Sequence, residues 1–189
     1  MEQVPAEIVG EPIRRVYDGA TDDLLTAGLG LAGLRGPVPG FADPLHPTAA
    51  ELRRRVIYNA YRGLVDVTDG GGFGRFHGPA GDTRVPGVEY LLAVRTPEGE
   101  STTTVLLQIP AHFDTKNPGL LAVASSGSRG VYGALPTAAE WGLKRGFAVV
   151  HTDKGTGMGV WDVERGRGYR IDGTTTDDPS DPLLTFAPP

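Results

Sequence analysis

The hydrophobic pattern predicts an antiparallel hairpin in the middle of the chain. Two runs rich in apolar and β-branched residues cover Val88 to Arg95 and Thr102 to Ile109, and the polar turn sequence TPEGES separates them. Such runs on either side of a turn with glycine and proline are typical of paired strands. A shorter apolar run, Leu64 to Val67, predicts another strand upstream, before a glycine-rich loop.

Downstream of the hairpin, the pattern predicts a strand–helix–strand unit. Leu120 to Ala124 and Phe147 to His151 are short apolar runs of the kind found in buried strands. Between them lie a turn of small residues and a helix predicted from about Leu135 to Arg145, closed by Gly146. Strands joined in this way are parallel, with a right-handed crossover. The chain therefore predicts a mixed α/β sheet, and because doubly wound sheets repeat this unit several times, we expect the sheet to be incomplete.

Residues Ala49 to Arg62 have the pattern of an amphipathic helix. Thr48 is a natural N-cap, and Glu51 is placed to complete a capping box by accepting the backbone N–H of the cap. Gly63 stands where a left-handed residue ends many helices. The consecutive arginines at 53–55 are predicted to lie mostly on the solvated side of this helix.

Turn-forming residues dominate both ends of the chain. Glycine and proline recur throughout 1–47, which predicts an irregular amino-terminal arm with one helical turn near Asp23 to Ala27. The stretch 174–189 is polar and proline-rich, and it predicts a tail without regular elements. These boundaries leave 48–173 as one partial α/β domain.

Composition restricts the classes of function. The 189 residues include 18 Lys or Arg and 23 Asp or Glu, a net charge of −5, so we expect no basic face for nucleic acid or an anionic membrane. The absence of cysteine excludes a disulfide framework and a thiol nucleophile within these residues. No apolar run reaches the roughly 18 residues of a membrane helix, and the first residues lack the pattern of a secretory signal. As written, the chain carries no signal for export and is expected to be cytoplasmic and not to insert into a membrane, but the sequence leaves its final localisation and its export open.

The best candidate for chemistry is the loop after the first strand of the strand–helix–strand unit. Binding sites in open α/β sheets form at the carboxyl ends of parallel strands. Backbone N–H groups at the start of a helix carry partial positive charge and bind oxyanions. The predicted oxyanion or substrate-loop residues are Ser126, Gly127, Ser128, Arg129 and Gly130.

Within this loop Ser128 is the candidate nucleophile. The sequence SGSRG differs from the G-x-S-x-G nucleophile elbow only at Ser126, which replaces the first glycine. The competing interpretation is a serine-rich turn whose hydroxyls cap the following helix. Stabilisation of an oxyanion by the loop is favoured over attack by Ser128, because a strand-to-helix loop upstream of the nucleophile often supplies one of the oxyanion-hole amides.

We expect neither a cofactor nor a metal. The sequence GGGFGRFHG lacks the Lys-Ser/Thr of a P-loop, and HTDKGTGMG does not open into a helix as a dinucleotide fingerprint does. The histidines are scattered along the chain, and we interpret them as hydrogen-bonded side chains rather than as metal ligands.

Four stretches together resemble the D-(-)-3-hydroxybutyrate oligomer hydrolase family. They are YDGATDDLLTAGLG (17–30), RRVIYNAYRGLVDVTDGGGFG (54–74), SSGSRGVYG (125–133) and EWGLKRGFAVVHTDKGTGMG (140–159). The resemblance implies an α/β-hydrolase-like fold and an esterase of polyhydroxybutyrate degradation. It also implies a much longer protein, with a nucleophilic serine in a Ser-Val-Ser-Asn-Gly-like elbow followed by an acid and a histidine. No such elbow occurs here, so the resemblance covers the family's amino-terminal part only.

The favoured interpretation is therefore a fragment of a serine esterase whose nucleophile lies beyond residue 189 and which is inactive alone. Its expected partners are a small ester substrate and the missing carboxy-terminal part of the same enzyme. One alternative is a complete small esterase using Ser128, with Asp153 or Asp162 as the acid, although no histidine follows His151. The other is a non-enzymatic module that holds a carboxylate or phosphate at 125–133.

Overall fold

A five-stranded mixed sheet organises the part of the chain that the computed structural model describes, residues 6–72, 84–95, 102–125, 130–155 and 157–185. The spatial order of the strands is β1-β2-β3-β5-β4. The strands are β1 (Glu7–Tyr17), β2 (Gly87–Arg95), β3 (Thr102–Pro110), β4 (Leu120–Ala124) and β5 (Ala148–Thr152). The prediction of a mixed α/β sheet is confirmed.

The predicted hairpin is present, but a strand in the amino-terminal region was missed. β2 and β3 pair antiparallel from Gly87 opposite Pro110 to Arg95 opposite Thr102. β1 pairs antiparallel with the other edge of β2, so the prediction of an irregular arm was wrong for this stretch. The register of β1 shifts between Val9 and Ile13, where Gly10 has a φ of 71° and Pro12 offers no N–H. This bulge hides the strand from a period-two pattern.

The strand–helix–strand unit is confirmed, and its strands are parallel. Leu120 lies opposite Ala148 and Ala124 opposite Thr152. The predicted helix is a composite of three consecutive helical segments: a 3₁₀ turn (Val131–Ala134), a π-helical turn (Leu135–Ala139) and α3 (Glu140–Lys144). The burial predicted for β4 was wrong, because β4 is an edge strand and Leu120 is 66% exposed.

Two α-helices precede the hairpin in sequence. They are α1 (Gly30–Arg35) and α2 (Ala49–Leu64). Thr48 caps α2, and the capping box with Glu51 is complete in both directions, as predicted. Two local predictions were wrong. Gly63 lies within α2, where the extended residue Val65 ends the helix, and no strand forms over 64–67. The turn predicted near Asp23 to Ala27 is present at residues 24–28 and precedes α1.

The two faces of the sheet differ in burial. Along β2 and β3, buried residues alternate with partly exposed ones, so that one face is covered and the other is not. The covered face packs against α2 and the composite helix; its core residues include Ile57, Tyr61, Leu91, Leu106, Val131, Leu135, Leu143 and Val149. The opposite face carries apolar side chains that remain in partial contact with solvent. They include Val88, Leu92, Val105, Leu107, Ile109 and Val150.

A small second sheet follows β5. Its strands are β6 (Val160–Asp162), β7 (Arg167–Tyr169) and β8 (Thr175–Thr176), paired in that order. β8 falls in the segment predicted to be a tail without elements. None of the helices in the described ranges is long and apolar enough to cross a membrane. The domain boundaries at 47/48 and 173/174 stay a prediction.

Candidate functional site

The carboxyl ends of β4 and β5 meet at one edge of the sheet, where the sequence predicts the site. Four predicted loop residues, Ser126, Gly127, Ser128 and Arg129, lie outside the described residues. The fifth, Gly130, is buried and immediately precedes the 3₁₀ turn. Its φ of 65° and ψ of −173° are backbone angles that only glycine adopts without strain. A Cβ at this position would lie 3.2 Å from the Met158 Sδ, so the site also lacks space for a larger residue.

Tyr132 anchors the 3₁₀ turn that follows this loop. Its hydroxyl donates a hydrogen bond of 3.0 Å to Glu89 Oε1, on the covered face of β2. The Tyr17 hydroxyl donates to the same oxygen over 3.2 Å. Both tyrosine side chains are buried, and burial together with the nearby Glu89 carboxylate raises the pKa of Tyr132 well above its usual value. The turn is therefore tied to the sheet through a neutral phenol and a carboxylate.

Arg53 neutralises this carboxylate from α2. Its Nε lies 3.1 Å from Glu89 Oε1, and its Nη2 lies 3.1 Å from Glu89 Oε2. The remaining donors contact Asp22 Oδ1 at 2.9 Å and the Asp23 carbonyl at 3.0 Å, and the guanidinium lies 4.1 Å from the Tyr17 ring centroid. The prediction that Arg53 is solvated was wrong. An arginine with this many partners is stable in a core because nearly every donor is satisfied.

The ionisation of Glu89 follows from these contacts. Burial by itself raises the pKa of a carboxyl group, but the Arg53 charge and the hydrogen bonds from Arg53, Gln108 and Tyr132 outweigh it, and the pKa of Glu89 is lowered. Glu89 is therefore an anion at neutral pH, and the Arg53 pKa is raised in turn despite burial. Arg53 and Glu89 therefore form a buried ion pair that stays charged at neutral pH, rather than an acid or base poised near pH 7.

His151 extends this network along the sheet. Gln108 donates through Nε2 to the Leu24 carbonyl at 2.8 Å and to Glu89 Oε2 at 3.1 Å, so its Oε1 faces the His151 Nε2 at 3.2 Å as an acceptor. His151 Nε2 must then carry the proton, which leaves Nδ1 as an acceptor without a hydrogen-bond donor among the described residues. Burial lowers the pKa of His151 to about 4, so the ring is neutral at pH 7.

The described residues at this edge do not form a catalytic triad. The Ser125 hydroxyl is buried without a hydrogen-bond partner in the described part of the chain. Asp153 accepts the Thr104 N–H at 3.2 Å and the Gly155 N–H at 2.8 Å. No hydrogen bond in these ranges joins Ser125, His151 and Asp153. The described residues also contain no group of three His, Asp or Glu side chains that could hold a metal ion.

The buried network was not predicted from the sequence, although one feature of the strand pattern indicates part of it. Glu89 lies two residues from the core residue Leu91 on β2, and Gln108 lies two residues from the core residue Leu106 on β3. Strict alternation therefore places a carboxylate and an amide on the covered face. The signal does not identify Arg53 and Tyr132 as their partners, because those residues come from distant elements.

Comparison with known proteins gives a consistent set of relatives. A family model described as 3HB-oligomer hydrolase (3HBOH) matches residues 1–182. A D-(-)-3-hydroxybutyrate oligomer hydrolase of Burkholderia thailandensis is 50% identical over 181 residues, which cover 90% of this chain and 26% of the relative. Proteins of the same name from Burkholderia mallei and Burkholderia pseudomallei are 49% identical over the same shares. The chain thus spans about a quarter of the length of these curated relatives, and no solved structure matches it significantly.

Proposed function

Because the chain belongs to the 3HB-oligomer hydrolase family, we propose that it is one part of an enzyme that hydrolyses the ester bonds of 3-hydroxybutyrate dimers and oligomers. The observation that carries this proposal is the 50% identity to a named hydrolase across 90% of the chain. Identity at this level over nearly the whole chain is expected to preserve the fold.

The remaining three quarters of the enzyme is the proposed partner. The chain spans 26% of its relatives, and the sheet supports the idea that a further layer belongs on it. Leu120, at the free edge strand β4, is 66% exposed, and apolar residues of the same face on β2, β3 and β5 are only partly covered. In α/β folds, helices cover both faces of such a sheet. We infer an α/β-hydrolase-like domain that the carboxy-terminal part of the enzyme completes.

The proposed chemistry is acyl transfer through a serine supplied by that part. The serine oxygen attacks the ester carbonyl while a base takes its proton, and the carbonyl oxygen becomes an oxyanion. The carbon–oxygen bond then breaks, the proton passes to the departing hydroxyl group, and water later releases the acyl group as a carboxylate. The reaction requires no cofactor.

This chain would contribute the loop at 126–130, whose backbone N–H groups would donate to the oxyanion. The anchoring of the adjacent turn supports this role, because the Tyr132 to Glu89 hydrogen bond holds the loop's end against a buried ion pair. Donors that are positioned before the reaction need no reorganisation when the charge develops.

The contacts at the carboxyl ends of β4 and β5 favour a nucleophile outside this chain over a complete esterase using Ser128. Both oxygens of Asp153 already accept backbone N–H groups, and the proton on His151 Nε2 points to Gln108. Neither group is arranged to orient or to deprotonate a serine in the described contacts. Ser128 therefore stays the second candidate for the nucleophile.

A chimaeric enzyme tests the proposal. The 189 residues replace the matching segment of the Burkholderia thailandensis relative, and release of 3-hydroxybutyrate from its dimer is measured. We expect hydrolysis by the chimaera and none by the 189-residue chain alone. An inactive but folded chimaera, alongside an active parent, would contradict the proposal.

Covalent labelling with a fluorophosphonate identifies the nucleophile. We expect the chimaera to be labelled on a serine outside these 189 residues and the label to persist in the variant Ser128→Ala. A label on Ser128, or hydrolysis by the short chain that Ser128→Ala abolishes, would instead establish the complete small esterase.

A further inference from the structure

A cavity of about 290 Å³ is lined by residues of α2, by Tyr132 of the 3₁₀ turn and by the segment 169–173. Its apolar wall comes from Leu52 and Val56 of α2, Ile171 and Met158, together with the Tyr132 ring. This volume is near the lower end of pockets that bind small molecules, which start at about 300 Å³. The cavity therefore has the size and surface for a short aliphatic chain.

The polar residues of this cavity are unusual in their charge. Three arginines, Arg15, Arg53 and Arg170, and only one acid, Asp172, line it. The carboxylates that neutralise Arg53 and Arg170, namely Glu89 and Asp181, are not among the lining residues. Asp172 pairs with Arg15 at 2.7 Å, so all three arginines have a carboxylate partner and the lining carries little net charge. Binding of an anionic ligand would therefore depend on the donors that Arg15 does not give to Asp172.

Arg15 is the arginine with donors to spare. Arg53 is saturated by its buried partners, and Arg170 donates to Asp181 and to the Thr175 carbonyl. Arg15 makes one described hydrogen bond, from Nη2 to Asp172 Oδ2 at 2.7 Å. A guanidinium carries five N–H donors, so in the described part of the chain four donors of Arg15 have no protein acceptor and are available to a ligand.

The cavity adjoins the loop that we assign to the oxyanion. Tyr132 and Met158 line it, and Met158 packs against Gly130 at the end of the loop. A chain seated in the cavity would therefore lie near Gly130, the described end of that loop. A pocket at this position is suited to holding the part of the substrate that does not react.

We propose that this cavity binds the carboxylate end of a short 3-hydroxyacyl chain, with Arg15 donating to the carboxylate and the apolar wall contacting the methyl groups. The identity of the ligand rests on the proposed function, whereas the site itself rests on the cavity and on the donors of Arg15 that no described residue accepts. Arg15 is a binding and specificity residue in this proposal and takes no part in bond cleavage.

Binding to the 189-residue chain tests the proposal without any turnover. The probes are the 3-hydroxybutyrate dimer and its methyl ester, which lacks the negative charge, and the dissociation constants are measured by calorimetry or NMR titration. We expect saturable binding of the dimer and at least tenfold weaker binding of the ester. We also expect Arg15→Gln to weaken dimer binding about tenfold or more, as for loss of a charge-assisted hydrogen bond, with less effect on the ester.

The neighbouring Arg14 provides a matched control. It donates to the Tyr90 hydroxyl at 3.3 Å and does not line the cavity, so Arg14→Gln should leave dimer binding unchanged. Val56→Phe, which reduces the cavity without altering charge, should weaken the dimer and the ester equally. Arg15→Gln should remain folded because Asp172 Oδ1 still accepts the Thr174 N–H and hydroxyl, at 3.0 and 2.7 Å.

The outcomes separate this proposal from the proposed function. The proposed binding site would be refuted by the absence of saturable binding, by equal binding of dimer and ester, or by equal losses in Arg14→Gln and Arg15→Gln. Each of these results is compatible with a chimaera that still hydrolyses the dimer. Conversely, a pocket that binds the dimer through Arg15 in a chain whose chimaera is inactive would overturn the function and leave the site in place.

Discussion

The Arg53 Nη2 and Glu89 Oε2 atoms lie 3.1 Å apart, and each of the two side chains is only 2% exposed. The pair joins α2 to β2 across 36 residues of sequence. Through the Tyr132 hydroxyl it also joins both elements to the turn beside the candidate loop. One buried ion pair therefore couples the stability of the sheet to the position of the candidate site.

Removing one member of this pair should be strongly destabilising. Arg53→Met leaves the Glu89 carboxylate buried without its cation, and losses of about 3–5 kcal/mol are typical for such a change. Urea denaturation measures the free energy of unfolding. Arg62→Gln, at the exposed end of the same helix, should change it by less than about 0.5 kcal/mol.

A double variant separates charge burial from packing. Arg53→Met with Glu89→Leu removes both charges, so its loss should be smaller than the sum of the two single losses. Additive losses would show that the two side chains contribute independently and that the ion pair does not couple them.

The stability of the chain should fall as the pH drops from about 6.5 towards 4. Burial lowers the pKa of His151 from 6.5 to about 4 in the folded chain, so the unfolded chain binds a proton in this range that the folded chain does not. The unfolded state is thereby favoured at the lower pH, by up to about 3 kcal/mol. Melting temperatures between pH 7.5 and pH 4.5 measure the slope.

Variants of two histidines show which group causes this dependence of stability on pH. His151→Gln should flatten it, because the titrating ring is gone, whereas His112→Gln, which removes an exposed ring, should retain it. An unchanged slope in His151→Gln would mean that other groups titrate in this range.

Gly130→Ala should destabilise the chain and impair the proposed chimaera. The φ of 65° is unfavourable for alanine by about 1–3 kcal/mol, and the new Cβ would lie 3.2 Å from the Met158 Sδ. Thermal melts of the chain and kcat of the chimaera measure the two effects. Gly40→Ala, at a site with no atom within 4 Å of the new Cβ, should alter neither.

Thr48→Ala should cost about 1 kcal/mol, because the cap of α2 loses the hydroxyl that accepts the Glu51 N–H. Urea denaturation measures the loss. Asn59→Ala, at an exposed position within the same helix, should cause no loss. Equal stability of Thr48→Ala and the parent chain would show that the capping box contributes nothing to folding.

Comparison of prediction with structure shows which signals carry information. The hairpin, the capping box and the strand–helix–strand unit were predicted because each depends on residues that lie close together in sequence. β1 was missed because its bulge at Gly10 interrupts the alternation, and its partner β2 begins at Gly87. The burial of β4 was wrong because an apolar run does not reveal whether a strand is central or at an edge.

For the candidate site, too, the local features were predicted from the sequence and the long-range contacts were not. The sequence alone pointed to the loop after β4 and to Gly130, since a run of small residues between a strand and a helix is a local feature. The sequence predicted that Arg53 is exposed to solvent, because a helical pattern shows that a residue is charged but not whether a buried carboxylate lies opposite it. The role of Arg53 depends on Glu89. The position of Glu89 on the covered face of β2 can be inferred from the sequence, but its pairing with Arg53 cannot.

By itself, then, the sequence predicted the hairpin, the strand–helix–strand unit and the capping box of α2, and it indicated the family and the loop after β4 as the candidate site. Only the tertiary structure decided that a charged pair lies in the core, that His151 is a neutral buried ring, and that Arg15 lines a cavity beside α2. The physical reason is desolvation. A buried charge or ring is stable only when partners surround it in three dimensions, and here those partners come from segments tens of residues apart.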